Sequence, residues 1–555
     1  MDAHIPVLVV GAGPTGLAVA CELRRQGIQC RIVDRAADRP AHQARALTVW
    51  PGALDVLARH GGADQVVDAG LRLAASRYWS DDRLLATVRF GIDGGPVPVC
   101  EPQPEVERIM TARLTELDGA VEWQTELVDL QDRGNLAEVQ LAGPGGVERL
   151  TASWVVGCDG ANSRVRELAG IEFLGSTYPR SYILGDGEIN GYVPRDEVHY
   201  HLHRDGVVVV VPLPDGGLRV FAEDSRRGGS EVTDEPAAAP TREQLQQLVD
   251  ERLPYPLAIG ELRWSTRFPV HLRKASTYRS GRCLLAGDAA HIHSPAGGQG
   301  MNTGIQDGAN LAWKLALVLR GCAGRDRLLD SYPAERAPVA EQVMAAADKQ
   351  TRLWGVRSWL GRRIRDAVLT KLGRSDVLKQ RVVLAMAQND LNYQRSPAVG
   401  KRGGRRALGI GLPEVNLIPV AGTAPAAGRA PLTLRELLSN PRHVLLVLPG
   451  TSEGAVDRAR EVVRATEPLV DRLAVHILVE QAIADQVGDL PAVIAPDGYA
   501  PVGPLRGCAL VLVRPDGYVA DATTGLDTGT LLYDLQPAPP DPPVATAGHI
   551  AQWEG

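Results

Sequence analysis

Val7-Leu8-Val9-Val10-Gly11-Ala12-Gly13-Pro14-Thr15-Gly16 is the stretch that decides the fold. Its first four residues form a short apolar run of the kind found in a strand covered on both faces, and Leu17 to Gln26, closed by Gly27, reads as the helix that follows. Cys30, Ile32 and Val33 then lead to Asp34, completing a strand, turn, helix and strand. In the turn, Gly11 permits the tight bend, Gly13 lets a pyrophosphate approach the backbone, and Gly16 allows the helix to pack closely on the strand. Pro14 and Thr15 lie within the turn, and the N-terminus of the following helix supplies free N–H groups and a positive dipole end to the phosphates. Asp34, followed by Arg35, is placed to accept hydrogen bonds from an adenosine ribose. A dinucleotide is expected here, and this unit alone does not separate FAD from NAD.

The rest of the chain bounds the partners. Its 555 residues suffice for about three cored domains. The 66 acidic and 60 basic residues are spread along the sequence, so no surface is built for a polyanion and nucleic acid is not expected as a partner. Met1-Asp2-Ala3-His4 runs straight into the first strand without a signal-peptide pattern, and no run approaches the ~18 apolar residues of a membrane span. A cytoplasmic location without a membrane partner is the expectation. The seven cysteines form no Cys-x-x-Cys pair and no zinc spacing, which reads as reduced, mostly buried thiols and no metal site.

Residues 175–275 are rich in strand signals, with Tyr200 to His203, Val207 to Val211 and Leu218 to Phe221 separated by Asp-Gly turns, and read as an inserted antiparallel sheet. Near Cys283 the pattern returns to strand, glycine-rich loop and a long helix from about Met301 to Arg320. The expected α/β architecture is a discontinuous nucleotide-binding domain (1–175 and 276–395), the inserted sheet (176–275), a Gly/Pro/Arg-rich linker (396–430) and a C-terminal α/β module (431–555).

Two further segments identify the cofactor. Residues 157–166 read Gly-Cys-Asp-Gly-Ala-Asn-Ser-Arg-Val-Arg, and residues 282–302 carry Gly287-Asp288, Pro295, Gly297-Gly298, Gly300, Met301 and Asn302. With the opening turn, these resemble in order and spacing the three motifs of the single-component, class A FAD-dependent aromatic hydroxylases. The resemblance covers the whole chain and implies a Rossmann-type FAD domain like that of para-hydroxybenzoate hydroxylase. The C-terminal module is similar to the thioredoxin-like domain of the larger phenol and polyketide hydroxylases. Without a cysteine pair it is expected to have no disulfide activity, and to stabilise the fold or an oligomer interface without touching FAD.

The chemistry of the third motif agrees with the resemblance. Asp288 can hold ribityl hydroxyls, which FAD has and NAD lacks. The glycines at 297, 298 and 300 let bare backbone lie against a flat ring, and the helix beginning at Met301-Asn302 points its dipole at an anionic reduced flavin. Pro295 and Gly298 are expected to shape the flavin edge, with no side-chain base identifiable. By resemblance, Asp159 serves flavin and nicotinamide donor, Arg166 is its motif arginine, and Arg45 and Gln103 match family residues near FAD.

The resemblance implies that FAD, reduced by transiently bound NADH or NADPH, uses O2 to oxygenate an aromatic substrate by way of a flavin 4a-hydroperoxide. Length and the C-terminal module are most similar to hydroxylases of aromatic polyketides of the anthracycline and angucycline type. Simple phenol hydroxylation, Baeyer–Villiger insertion and epoxidation remain open, as does a catalytically silent flavin-binding scaffold; a homo-oligomer is compatible with all of them. The substrate expected is a multi-ring phenol or quinone between the inserted sheet and the flavin edge, with Arg219 the one candidate clamp for a small carboxylate. His291 and His293 lack a third ligand and read as loop packing; His199, His201 and His203 share a strand face that is either substrate wall or solvent; and Lys401, Arg402, Arg405 and Arg406 read as a solvated linker cluster.

Overall fold

Val7 to Val10 are almost wholly buried because the strand that carries them, Ala3–Val10, lies inside a largely parallel sheet covered on both faces. The computed structural model describes residues 3–38, 46–191, 193–224, 238–322, 324–389, 391–400, 408–412, 415–419, 432–488, 490–494, 508–526, 528–529 and 531–537. Ala3–Val10 pairs in parallel with Cys30–Val33 on one side and Gly146–Gly157 on the other, and Gly146–Gly157 pairs in parallel with Cys283–Leu285. The register sets Val10 beside both Val33 and Gly157, and Gly157 beside Leu285. All three motifs and Asp34 therefore leave the sheet at one edge, the carboxyl ends of its strands, where open α/β sheets bind ligands.

Helix α1 (Pro14–Arg25) follows the first motif, with proline at the position where its missing N–H does no harm. Helices α2 (Pro51–His60) and α3 (Gln103–Glu116) flank the sheet. Helix α4 (Gly300–Leu319) crosses α1 at its small residues, with a Cβ on Gly308 lying 3.0 Å from the Thr15 carbonyl oxygen. Helix α5 (Arg325–Trp354) packs on α4 and reaches the inserted sheet at Trp354.

The inserted sheet has eight strands, and its two edges come from outside the insertion. Its order is His291–Ile292, Ala258–Ala275, Phe173–Asn190, Leu218–Glu223, Gly206–Pro212, Glu197–His203, Ala75–Ser80 and Arg83–Arg89. The span 176–275 is thus too narrow: the hairpin at 75–89 adds to Glu197–His203 in parallel, and the third motif caps the other edge. These additions leave fewer open edges for unwanted pairing. Behind the hairpin lie α6 (Trp359–Gly373) and α7 (Asp376–Ala387).

The C-terminal module is a seven-stranded mixed sheet in which His443–Val447 pairs in parallel with the central Leu473–Val479 and antiparallel with Leu510–Val513. Here too the expected boundary moves. Asn416–Pro419, placed in the linker from its Gly/Pro-rich surroundings, pairs with Ala492–Ile494 and Leu432–Thr433, and Leu417 is fully buried. The basic cluster at 401–406 lies outside the described residues.

A buried ionic cluster joins this module to the nucleotide-binding domain. Arg514 donates to both carboxylate oxygens of Glu335 on α5 at 2.8 and 2.9 Å, and Lys314 on α4 donates to the same carboxylate at 2.9 Å. Asp516 accepts from Trp313 Nε1 at 3.0 Å and Asn310 Nδ2 at 3.1 Å. Burial opposes ionisation of Glu335, but Arg514 and Lys314 outweigh it and hold its carboxyl well below the usual range.

Candidate active site

The first motif is closed except at one place. Gly11 has φ +100°, and a Cβ there would sit 2.4 Å from the Cys158 carbonyl oxygen; one on Gly16 would sit 1.9 Å from the Gly11 carbonyl oxygen. A Cβ on Gly13 would meet nothing within 4 Å. Gly13 is also the N-cap of α1 and supplies no side-chain cap, so this open space lies against free helix N–H groups. Asp34 braces the turn, accepting from the Ala12 N–H at 2.7 Å and the Ala36 N–H at 2.9 Å. Pro14 is buried in the first turn, Thr15 lies against Gly287 and Gly304, and Arg35 is exposed. Gln103 starts α3 and donates to Glu107 at 2.9 Å, while Arg45 lies outside the described residues.

Asp159 has a structural role of its own. Its carboxylate accepts from Ser163 Oγ at 2.5 Å and from the N–H groups of Arg164 and Val165 at 2.7 and 3.1 Å, so it caps the short helix Arg164–Leu168. Arg166 links the second motif to the third, donating to the Ala161 carbonyl at 2.8 Å and the Ala289 carbonyl at 3.0 Å.

In the third motif Asp288 is exposed between the buried Gly287 and Ala289, at the edge where the motif loops converge. Gly297 and Gly298 take φ of +83° and +60°, left-handed values that bend the loop after the exposed Pro295 and bring it to the start of α4 at Gly300 and the half-buried Met301. Asn302 is fully buried and its side chain is taken up by protein: Oδ1 accepts from the Trp50 N–H at 2.7 Å, and Nδ2 donates to the carbonyls of Thr48 and Gly298 at 2.8 Å each. It positions the loop, and only its backbone remains for a ligand. Trp50 Nε1 also donates to the Gly297 carbonyl at 3.1 Å. Behind the loop Asp307 accepts from His291 at 2.7 Å, Arg336 at 2.6 Å and the Gly287 N–H at 3.2 Å, which accounts for His291.

His293 differs from His291. Its Nδ1 donates to the Ser294 carbonyl at 2.7 Å, which leaves Nε2 as the acceptor nitrogen, and that atom is buried beside Gly300 without a partner among the described residues. Burial pulls the ring down to about 4, so it is neutral near pH 7.

The inserted sheet presents an aromatic face to this loop. Tyr182 stacks on Phe221 at 5.1 Å, Phe221 and Tyr200 each approach Trp354 at about 6 Å, and Ala296 of the third motif belongs to the same apolar cluster. Tyr182 Oη and Trp354 Nε1 are buried in it with no partner among the described residues. Burial, with Glu223 adding to it, pushes the Tyr182 phenol well up, so it stays protonated. His199 and His201 lie on the opposite face of their strand, bonded or close to Tyr255 behind the sheet, which settles that they are not part of this wall. Arg219 is paired with Asp186 through two 2.7 Å hydrogen bonds.

A half-open cleft of about 530 Å³ lies elsewhere, between α2, α4 and the C-terminal module, lined by Arg59, Asn310, Arg435 and Tyr518 among others and by none of the residues of the three motifs. The three motifs converge at the sheet edge and not in this cleft, so the candidate site is the sheet edge.

The FAD binding domain family matches residues 4–347, which spans all three motifs. The chain belongs to the FAD-dependent aromatic monooxygenases. It is 35% identical to 6-methylpretetramide 4-monooxygenase of Streptomyces rimosus over 96% of this chain and 93% of that protein. It is 33% identical to pentachlorophenol 4-monooxygenase of Sphingobium chlorophenolicum, with 96% of each covered. Among solved structures, CabE, an aromatic hydroxylase from angucycline biosynthesis, superposes with a TM-score of 0.77 at 29% identity, covering 97% of this chain and 100% of CabE.

The residues of this monooxygenase fit FAD: there is open space where a pyrophosphate meets a helix N-terminus, an exposed carboxylate at the convergence of the motifs, and bare left-handed backbone at the start of a second helix. Sequence reasoning missed Tyr182, Trp354 and His293 as unpartnered groups, because orphaned atoms emerge only from packing. It also missed Glu101, a carboxylate only 3% exposed beside the start of α3, whose pKa is raised to about 7 by burial and by Glu105. Among the described residues no helix is long and apolar enough to cross a membrane.

Proposed function

We propose that this monooxygenase, acting in the cytoplasm, hydroxylates a polycyclic aromatic polyketide bearing phenolic or quinonoid oxygens. The observation that carries the reading is the aromatic wall with Tyr182 Oη and Trp354 Nε1 left unpaired in it. A buried polar group without a partner costs about 1–3 kcal/mol, so two of them on one apolar face favour a ligand that supplies oxygens across a flat ring system. Arg219, already neutralised by Asp186, argues against a one-ring carboxylate. The relatives named for pretetramide and angucycline chemistry support the same class.

When bound, FAD supplies the redox chemistry, taking electrons from NADH or NADPH and activating O2, of which one oxygen atom enters the ring and the other leaves as water. Gly11, Gly13, Pro14, Thr15 and Gly16 with the α1 N-terminus would hold the pyrophosphate, Asp34 with Arg35 the ribose end, and Asp288 the ribityl hydroxyls. Pro295, Gly298 and Gly300 shape the ring edge, and the backbone at Met301 and Asn302 presents positive dipole to a reduced, anionic ring. The aromatic wall excludes water from the reacting face. His293 Nε2, whose partner nitrogen is fixed as a donor, accepts a hydrogen bond from the bound ligand without taking its proton, because burial keeps the ring neutral.

The test measures substrate-stimulated NAD(P)H oxidation with polycyclic phenols, one-ring phenols and hydroxybenzoates, with mass spectrometry to count oxygen atoms gained. Coupled oxygenation of polycyclic phenols is expected, and Tyr182→Phe should raise KM for them without changing FAD content. Stimulation by one-ring acids alone would defeat the substrate class and leave the family unchanged.

A further inference from the structure

Helices α6 and α7 are more apolar outside than their surroundings allow. Of the fourteen large apolar side chains that stand exposed among the described residues, seven fall between 359 and 384: Trp359, Leu360, Ile364 and Val368 on α6, and Val377, Leu378 and Leu384 on α7. Trp359 is 69% and Ile364 59% exposed. Leu360, Ile364 and Val368 recur every fourth residue and form one stripe. The opposite face of α6 is anchored: Leu369 joins the aromatic cluster, and Arg365 donates to Ser80 Oγ at 3.0 Å and the Leu202 carbonyl at 3.3 Å. The stripe is therefore the outward side of a fixed element.

Its flanks are strongly basic. Residues 359–387 hold seven Arg or Lys against two Asp, a net +5 in a chain of net −6. Arg363, Lys371, Arg374 and Arg381 are exposed and make no ion pair among the described residues, with Arg363 lying 5.8 Å from the Trp359 ring. A symmetric contact in which a second copy presents the same hairpin would oppose +5 with +5, and the unpaired cations call for an anionic occupant. An exposed Trp beside Arg, an aliphatic stripe and unpaired cations along its border are the pattern of a helix lying in a bilayer interface.

We propose that the α6–α7 hairpin seats this monooxygenase on an anionic lipid surface, with the stripe at the acyl boundary and the four cations at lipid phosphates. This revises the expectation of no membrane partner: the stripe is too interrupted to span, but an interfacial helix needs no span. The placement is independent of the substrate class.

The test uses the full FAD-loaded chain with vesicles of equimolar phosphatidylglycerol and phosphatidylcholine, and with phosphatidylcholine alone. Co-sedimentation should favour the anionic vesicles by at least roughly tenfold and weaken with salt. The double variant Ile364→Glu/Val368→Glu should lose it while keeping wild-type Tm and NAD(P)H oxidation in solution; Lys371→Glu/Arg374→Glu should lose the anionic preference. Equal sedimentation with both vesicles, or with neither, overturns the proposal, as does a wild-type dimer in sedimentation velocity that Ile364→Glu/Val368→Glu dissociates. Binding to an acidic protein without vesicle binding overturns it in favour of a protein partner.

Discussion

Asn302 contacts three pieces of backbone from two segments far apart in sequence, and this gives it more leverage on the loop than its size suggests. Asn302→Ala leaves the Trp50 N–H and the carbonyls of Thr48 and Gly298 without this partner, so a stability loss of about 1–3 kcal/mol is expected, read as a lower Tm and faster FAD release on dilution. Asn302→Asp should recover only the bond from Trp50. Glu101 sets a pH dependence of a different sign. Its folded pKa, about 7, lies above the 4.5 of a free side chain, so its contribution is complete below about 4.5 and is lost as pH rises through about 7. In Glu101→Gln the thermal midpoint should change less across that window, and an unchanged profile would remove the carboxyl from the explanation.

At the scale of the element, the first motif separates folding from binding. Gly16→Val drives a side chain into the Gly11 carbonyl and should disrupt the turn, whereas Gly13→Val points into open space and should leave the apoprotein's Tm close to wild type while abolishing FAD retention. Measuring both Tm and bound flavin distinguishes them; equal loss of stability in both would contradict the cradle. Asp288→Ala should also retain the fold and lose FAD. The turn was legible because glycine spacing between an apolar run and a helix has few other causes. The hairpin at 75–89 was not assigned to the inserted sheet, because its partner Glu197–His203 is over a hundred residues away and local pattern carries no address. Asn416–Pro419 was hidden by the glycine and proline around it. The capping of Arg164–Leu168 was legible too, since Ser163 is an ordinary helix-capping residue.

Across the whole molecule, the C-terminal module is held through charges that have no access to water. Arg514→Ala leaves Glu335 buried with Lys314 but without its bidentate partner, and about 3–5 kcal/mol of destabilisation is expected, checked by denaturant unfolding. Four imidazoles, at His201, His293, His443 and His476, are held neutral by burial, with values of about 3 to 4. Because these lie below the unfolded value of 6.5, their contribution is present above 6.5 and is lost as pH falls toward 3. Glu101 acts oppositely in part of the same window, but four groups outnumber one, so stability should fall on acidification from about pH 6.5. A flat profile between 6.5 and 4 would show that the imidazoles are solvated.

The long reach between Ala75–Ser80 and Glu197–His203 also has a consequence in time. A ribosome adding roughly 5–20 residues per second places the hairpin outside the exit tunnel many seconds before its neighbour exists. During that interval Ala75–Ser80 is a bare edge able to pair with another nascent chain on the same message, and Arg83 and Arg89, charged and exposed on the companion strand, are the residues that discourage it. Replacing both with valine should leave the finished enzyme's Tm nearly unchanged while lowering its soluble yield during rapid expression, with the loss reduced by slowing translation.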